Sequence, residues 1–206
     1  MDATSLLDPE PDALERSRAL SALIAHEIDQ KGGVLGFDRF MDLALYHPRL
    51  GYYTSDSPIF GAVGDYITAP ESGQLFANCI ARQCMEVLDR LGGAITEYGA
   101  GSGRLACGLL QTLQKLDFVP DRYLIVEKSS RMRRRQRALL RKCVPELFDR
   151  VRWYDEHPKE RMCGVVIANE LLDAMPVKRF TVSQGEIREL GVGLRGDSFS
   201  WRPMET

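Results

Sequence analysis

No stretch of this sequence stays apolar for the roughly 18–20 residues a membrane-spanning helix needs, so no membrane span is expected. Cysteine is sparse and irregular. Cys79, Cys84, Cys107, Cys143 and Cys163 are odd in number and scattered, with no C-x-x-C pair. Reduced, buried thiols in a cytosolic protein are the simplest expectation for such a set. His26, His47 and His157 keep no ligand spacing to these cysteines, so no metal site is expected. Excess charge is also lacking. Lys and Arg number 27 against 29 Asp and Glu, a net charge of -2 that gives no general pull toward nucleic acid or an anionic membrane. The N-terminal residues form no basic-then-apolar leader and no Arg-rich amphipathic one. Neither a secretory signal nor an intact transit peptide is therefore expected. A bacterial cytoplasmic location is the first expectation and a mitochondrial matrix location the second. No internal repeat or low-complexity tract is visible.

What remains is ordinary globular material. A chain of 206 residues that is 44% hydrophobic and 27% charged can bury one core and a small accessory unit. Helical periodicity predicts a helix over 13–30, closed by Gly32-Gly33, and a second from Asp38 that Pro48 stops. Residues 51–71 are polar, rich in Gly and Pro, and without period. A third helix is expected over 73–91, with Leu75, Phe76, Cys79, Ile80, Val87, Leu88 and Leu91 as its buried stripe. From Ala94 the texture changes to alternating strand and helix. The expected organisation is thus an N-terminal helical segment with a loop, 1–93, and a second domain, 94–206.

In that second half, strands are expected at 94–98, 123–127, 151–154 and 164–168, and helices at 104–115 and after Ser129-Ser130. The fourth strand is apolar throughout, the pattern of a strand buried on both faces. Two further strands around Gln184-Gly185 read as a hairpin over 177–192. Strands alternating with helices predict an α/β fold with a parallel sheet and right-handed crossovers.

The first strand runs into Gly99-Ala-Gly101-Ser-Gly103 and then a helix, which places backbone N–H groups at the open end of the sheet. Glu97 stands just before the loop. Glu127 closes the next strand, 24 residues after Gly103, where a carboxylate can accept from both hydroxyls of a ribose. Two ligands fit this layout. Gly101 to Ala106 also reads as the dinucleotide pattern G-x-G-x-x-A. A carboxylate at Glu97 would repel a pyrophosphate and attract the ammonium of S-adenosylmethionine, which favours the second ligand.

Further segments carry a family resemblance. Phe40-Met-Asp-Leu-Ala-Leu-Tyr-His-Pro-Arg-Leu-Gly-Tyr-Tyr-Thr54, Gly64-Asp-Tyr-Ile-Thr-Ala-Pro-Glu71, Gln74-Leu-Phe76, Glu97–Gly103 and Asn169-Glu-Leu-Leu-Asp-Ala-Met-Pro176 occur in order. Together they resemble the MidA family of class I methyltransferases, from about Ala22 to Gly193. Tyr66 replaces the family's usual Phe, and Ser72-Gly73 departs from its aliphatic-Ser pair. The resemblance implies a Rossmann-like sheet and S-adenosyl-L-methionine as cofactor. It also implies methylation of an arginine in a protein, for the mitochondrial members a partner connected with assembly of respiratory complex I. A respiratory complex I subunit or its homologue is therefore a candidate protein substrate. Family chains continue past residue 206, and their seven-stranded sheet is represented here by four strands and the hairpin. The sheet is thus expected to be truncated. The open side of the fourth strand should then be covered by the hairpin folding back or by a second copy in a homodimer.

Site roles follow from that resemblance. Gly99, Gly101, Gly103, Glu97, Glu127 and Asn169 would bind cofactor, and Gly64 and Asp65 would lie in a lid over it. Glu170 and Asp173, three residues apart past the fourth strand, would share a helix face and clamp the guanidinium. The plainer reading is that Asn169 and Asp173 cap that helix. Asp155 or Glu156 could meet the adenine. Arg131, Arg133, Arg134, Arg135, Arg137 and Arg141 fall all round one helix, the pattern of a solvated face, and no nucleic-acid partner is expected. An NAD(P)-dependent oxidoreductase and a non-catalytic S-adenosylmethionine-binding or protein-interaction module are the competing functions.

Overall fold

The computed structural model describes residues 10–54, 68–159 and 162–204. In chain order it contains α1 (Pro11–Gln30), β1 (Leu35–Gly36), α2 (Phe37–Tyr46), α3 (Gln74–Leu91), β2 (Ala94–Tyr98), α4 (Arg104–Lys115), β3 (Arg122–Val126), α5 (Ser130–Cys143), β4 (Val151–Tyr154), β5 (Gly164–Ile167), β6 (Arg179–Ser183), β7 (Glu186–Arg195) and β8 (Ser198–Pro203). Local chemistry sets several of the ends. Pro11 opens α1, where a missing N–H costs nothing. Ser129 caps α5, its hydroxyl accepting from the Met132 N–H.

The chain divides into two compact units. One is 1–55 with 174–206 and the other is 56–173. The change of texture at 93/94 therefore lies inside the second unit. Here α3 packs on α4, with Gln74 Nε2 donating to the Gly108 carbonyl at 2.8 Å and the Thr112 hydroxyl donating to Asn78 Oδ1 at 2.7 Å.

In the second unit the strands run parallel in the order β4-β3-β2-β5. Ala94 stands opposite Arg122 and Gly164, and Tyr123 opposite Val151. Ile95, Leu109, Leu113, Tyr123, Ile125 and Leu140 form its core. Cys107 and Cys143 join α4 to α5 as a disulfide, and of the free cysteines only Cys84 is buried, Cys79 and Cys163 being exposed, so the expectation of reduced buried thiols is corrected for four of the five.

Two burial expectations are corrected. β5 ends the sheet and is not buried on both faces, because Val166 is 65% exposed. The hairpin does not pair with it, since β6 and β7 belong to a different sheet. On α3 the buried face is Ala77, Ala81, Cys84 and Leu88, whereas Leu75 is 76% exposed and Leu91 62%. The helix has apolar residues over a wide arc, and periodicity does not say which part faces the sheet. The small side chains let α3 lie close to its neighbours. Phe76, Ile80 and Val87 instead line a groove of about 360 Å³ beside β5.

In the first unit β7 is central, paired antiparallel with β1, β6 and β8. Gln184 and Gly185 both have positive φ, as a two-residue hairpin turn requires. Ile24, Ile28, Leu35, Leu43 and Val192 make a separate core. Phe37 meets Trp201 edge-on at 4.9 Å and Phe40 meets Phe199 at 5.4 Å. The sequence reading missed β8 and the β1–β7 pairing that joins the two ends of the chain. Among the described residues no helix is long and apolar enough to cross a membrane.

The burial pattern has a direct test. Leu109 is fully buried, so Leu109→Ala should lose about 2–5 kcal/mol of stability. The exposed Val166→Thr should stay within about 0.5 kcal/mol of wild type. Denaturant titration of the two variants would show whether they separate in this way.

Candidate functional site

The parallel register ends β2 and β3 level, with Tyr98 opposite Val126. Everything that follows these strands therefore collects at one edge of the sheet. The Gly99 N–H donates to the Val126 carbonyl at 2.9 Å, and the Glu127 N–H donates to the Tyr154 carbonyl at 2.9 Å. The loop and the acid are thus held to neighbouring strand ends. Gly99 and Gly101 have φ of 63° and 51°, a region that costs a side-chain-bearing residue energy. At Gly99 a Cβ would also stand 2.7 Å from Leu171 Cδ1. Leu171, in the segment after β5, therefore packs directly on the glycine loop. Gly103 caps α4.

Glu127 is half-buried at the end of β3. Its Oε1 accepts from the Ser129 N–H at 2.9 Å and its Oε2 from Gln136 Nε2 at 3.2 Å. Burial raises its pKa above the ordinary carboxylate value, while the Ser129 and Gln136 donors oppose the rise. Each carboxylate oxygen keeps a lone pair for a further donor.

Glu97 sits differently from the reading of a carboxylate at the loop mouth. Its side chain turns into the core, where it is 3% exposed, and accepts from the Tyr123 hydroxyl at 2.8 Å. Burial pushes its pKa up to about 7, opposed by the Tyr123 hydrogen bond and reinforced by the nearby charge of Glu127.

Sequence reasoning missed four residues at this edge: Glu71, Tyr123, Gln136 and Leu171. Glu71 accepts from the Ser102 hydroxyl and from Arg104 Nε, the latter at 2.8 Å, and so ties the end of the Gly64–Glu71 motif to the glycine loop. Tyr123 is a strand residue with no signal of its own. Gln136 is the lone polar residue between Met132 and Leu140 on the buried ridge of α5, a signal that was readable.

The remaining expected residues are placed less closely. Gly64 and Asp65 lie outside the described residues. Asn169 lines the groove beside β5. The expected α-helix after β5 does not form. Glu170 has φ of 47° and Asp173 sits in a short 3-10 turn, Leu172–Ala174, so the shared helix face is not present. Glu170 and Asp173 are exposed, as are Asp155 and Glu156 after β4. Tyr98 is hydrogen-bonded to His157 in that same segment. On α5, Arg137 lies over the Trp153 ring at 4.5 Å, Arg141 over Phe148 at 4.8 Å, and Arg133 donates to the Glu127 carbonyl at 2.6 Å. These arginines pack on the protein itself. No group of His, Cys, Asp and Glu among the described residues could hold a metal ion.

A parallel sheet whose first strand enters a glycine loop and whose second ends on a carboxylate is the frame of a class I, Rossmann-like methyltransferase. Residues 79–206 match the family described as "Putative S-adenosyl-L-methionine-dependent methyltransferase", and the chain belongs to that family, the MidA-like methyltransferases. It is 40% identical to a COG1565 superfamily member from Burkholderia thailandensis crystallised with S-adenosyl-homocysteine, with a TM-score of 0.88 over 98% of this chain and 54% of that one. It is 28% identical to "Protein arginine methyltransferase NDUFAF7 homolog, mitochondrial" of Caenorhabditis elegans, over 89% of this chain and 48% of the relative. The Danio rerio protein arginine methyltransferase NDUFAF7 is 26% identical over 79% of this chain and 44% of its own length. The chain thus spans about half the length of the curated relatives it matches.

The buried acid gives a pH prediction. Glu97 titrates near 7 when folded and near 4.5 when unfolded, so the folded chain holds the extra proton between those values. The stability from this group is complete below 4.5 and is lost as pH rises through 7. Glu97→Gln, which still accepts from Tyr123, should flatten that decline. Unfolding midpoints of both proteins at about pH 5 and about pH 8 check this, and parallel curves would refute the placement of Glu97.

Proposed function

We propose that the chain binds S-adenosylmethionine across the Gly99–Gly103 loop, with the ribose on Glu127, and that it is the cofactor half of a protein arginine methyltransferase. One observation carries the reading: the β2–β3 register brings a glycine loop with positive φ and a half-buried carboxylate to the same edge. The residues fit the ligand. Gly99 and Gly101 hold the positive φ that turns the loop past the end of β2, and Glu127 has lone pairs for two hydroxyls. When bound, the cofactor supplies an electrophilic methyl carbon.

The chain's part is to place the acceptor and receive its proton. A guanidinium is planar and permanently charged, so a carboxylate is its natural partner. Glu170 follows β5 at the same edge as the loop. It holds a backbone conformation that costs a non-glycine residue energy, a state that recurs at functional positions. Its carboxylate would pair with the guanidinium and accept the proton that leaves the attacking nitrogen. Asp173 would support it from the following turn, and Asn169, Gly64 and Asp65 would complete the cofactor cradle. The names of the NDUFAF7 relatives support arginine as acceptor and a protein as partner. The exposed β5 edge is where a second copy would pair in a homodimer.

Calorimetric titration with S-adenosylhomocysteine and with NAD separates this reading from a dinucleotide enzyme. Micromolar binding of NAD with none of S-adenosylhomocysteine would overturn it. Gly101→Val puts a β-branched side chain where φ is 51° and should abolish S-adenosylhomocysteine binding. For the chemistry, Glu170→Gln should lower methyl transfer to protein arginine by about 10²-fold or more while leaving S-adenosylhomocysteine affinity unchanged. Amino-acid analysis for methylarginine after incubation with the labelled cofactor reads that transfer. Equal losses in Glu170→Gln and in Glu15→Gln on the exposed face of α1 would sink the assigned role, and no transfer by wild type would favour a non-catalytic module.

A further inference from the structure

Gln136 occupies a position on α5 that packing alone would fill with an apolar residue. It lies one turn after Met132 and one before Leu140, on the buried ridge, and is fully buried itself. A glutamine there gives up hydration and contributes nothing that a methionine of similar length would not, unless its amide is used. Every polar atom of the amide is used. Nε2 donates to the Gly101 carbonyl at 3.0 Å and to Glu127 Oε2 at 3.2 Å, while Oε1 accepts from the Trp153 indole N–H at 3.1 Å.

The indole decides which way the amide faces. A tryptophan N–H can only donate, so it must meet the carbonyl end, and the NH₂ end is then left for the loop and the acid. Trp153 is itself held by the Arg137 guanidinium over its ring. A chain of contacts therefore runs from Arg137 through Trp153 and Gln136 to the two parts of the cradle. The Gln136 side chain also fills the space beside Gly103, where a Cβ would stand 3.2 Å from its Cγ.

The geometry points to Gln136 as the positioning residue that locks the glycine loop and the ribose acid into one rigid cradle, with Trp153 setting its orientation. This rests on the assignment of Gly101 and Glu127 to the cofactor. Gln136 does not touch the ligand. It fixes the Gly101 peptide and the Glu127 carboxylate relative to each other, so that the methionyl and ribose halves of the ligand meet sites already in register. Its effect should be on ligand binding and ribose recognition more than on folding.

The test uses the full chain and three probes: S-adenosylhomocysteine, 5′-methylthioadenosine and the 2′-deoxy form of the latter. Wild type should prefer the ribose form to the deoxy form. Gln136→Met keeps the length and the apolar contacts but removes the amide. It takes the acceptor from the Trp153 N–H and so should melt below wild type while still folding; it should bind S-adenosylhomocysteine ~10-fold or more weakly, and lose most of its preference for ribose, because a hydrogen bond to a charged group is gone. Trp153→Phe keeps a ring under Arg137 but frees the amide to flip, and should show the same two losses in smaller degree. It serves equally if Gln136→Met does not fold. Unchanged affinity and unchanged ribose preference in either folded variant would overturn the inference, since a merely structural glutamine leaves that preference alone. A wild type that ignores the 2′-hydroxyl would instead overturn the assignment of Glu127 and the inference with it. The two failures therefore appear in different proteins.

Discussion

The parallel pairing of β2 with β3 is the constraint on which the second unit rests. A parallel pair needs a crossover, the crossover here is α4, and α4 must begin where β2 ends. The turn between them is short enough to need positive φ at Gly99, Gly101 and Gly103. Because β3 runs in the same direction, its last residue is delivered beside that turn. The glycine loop and Glu127 become neighbours through strand direction alone. Antiparallel pairing would have put them at opposite ends of the sheet.

Around that edge the buried polar groups form satisfied pairs. Tyr123 with Glu97, and Gln136 with Gly101, Glu127 and Trp153, each replace hydration that burial removed. The two carboxylates differ in setting. Glu97 lies wholly in the core with one hydroxyl donor and is held near neutrality by burial. Glu127 sits at the surface of the sheet with two donors and an arginine close to its own peptide. One is suited to a structural and electrostatic part behind the loop, the other to direct contact with a ligand. Their separation follows from position along the strands: Glu97 is paired within β2, opposite Ile125, whereas Glu127 stands one residue past the end of β3.

The β5 edge shows how burial depends on what is assembled. Val165, Val166 and Ile167 have the composition of a central strand, and α3 presents Phe76, Ile80 and Val87 toward them, yet strand and groove are open in this chain. The chain spans about half of its relatives, and composition reports what a segment is suited to meet. It does not report whether the partner is present. The same reasoning covers the apolar arc of α3, where Phe76, Ile80 and Val87 line the groove and Ala77, Ala81 and Leu88 are buried.

Local chemistry along the chain was enough to place most elements, the glycine loop and the carboxylate of Glu127 at the end of its strand. The limits of β2 and the start of α4 follow from periodicity and from Gly93, Gly99 and Gly103 beside them, because those signals act over a few residues. The positions of Gly99 and Glu127 were legible for the same reason, since they stand at fixed offsets from strand ends, whereas the inward turn of the Glu97 side chain was not. The tertiary structure alone decided which residues are brought together from afar. It paired Leu35 with Val192, closing one unit from both ends of the chain, and brought Glu71 to Ser102 and Arg104. It turned Glu97 inward onto Tyr123 and gave Gln136 its three partners. It also replaced the expected helix after β5 with a short turn. None of these depends on neighbours in sequence. Each is set by strand register and by the satisfaction of buried polar groups, which exist only once the sheet has formed.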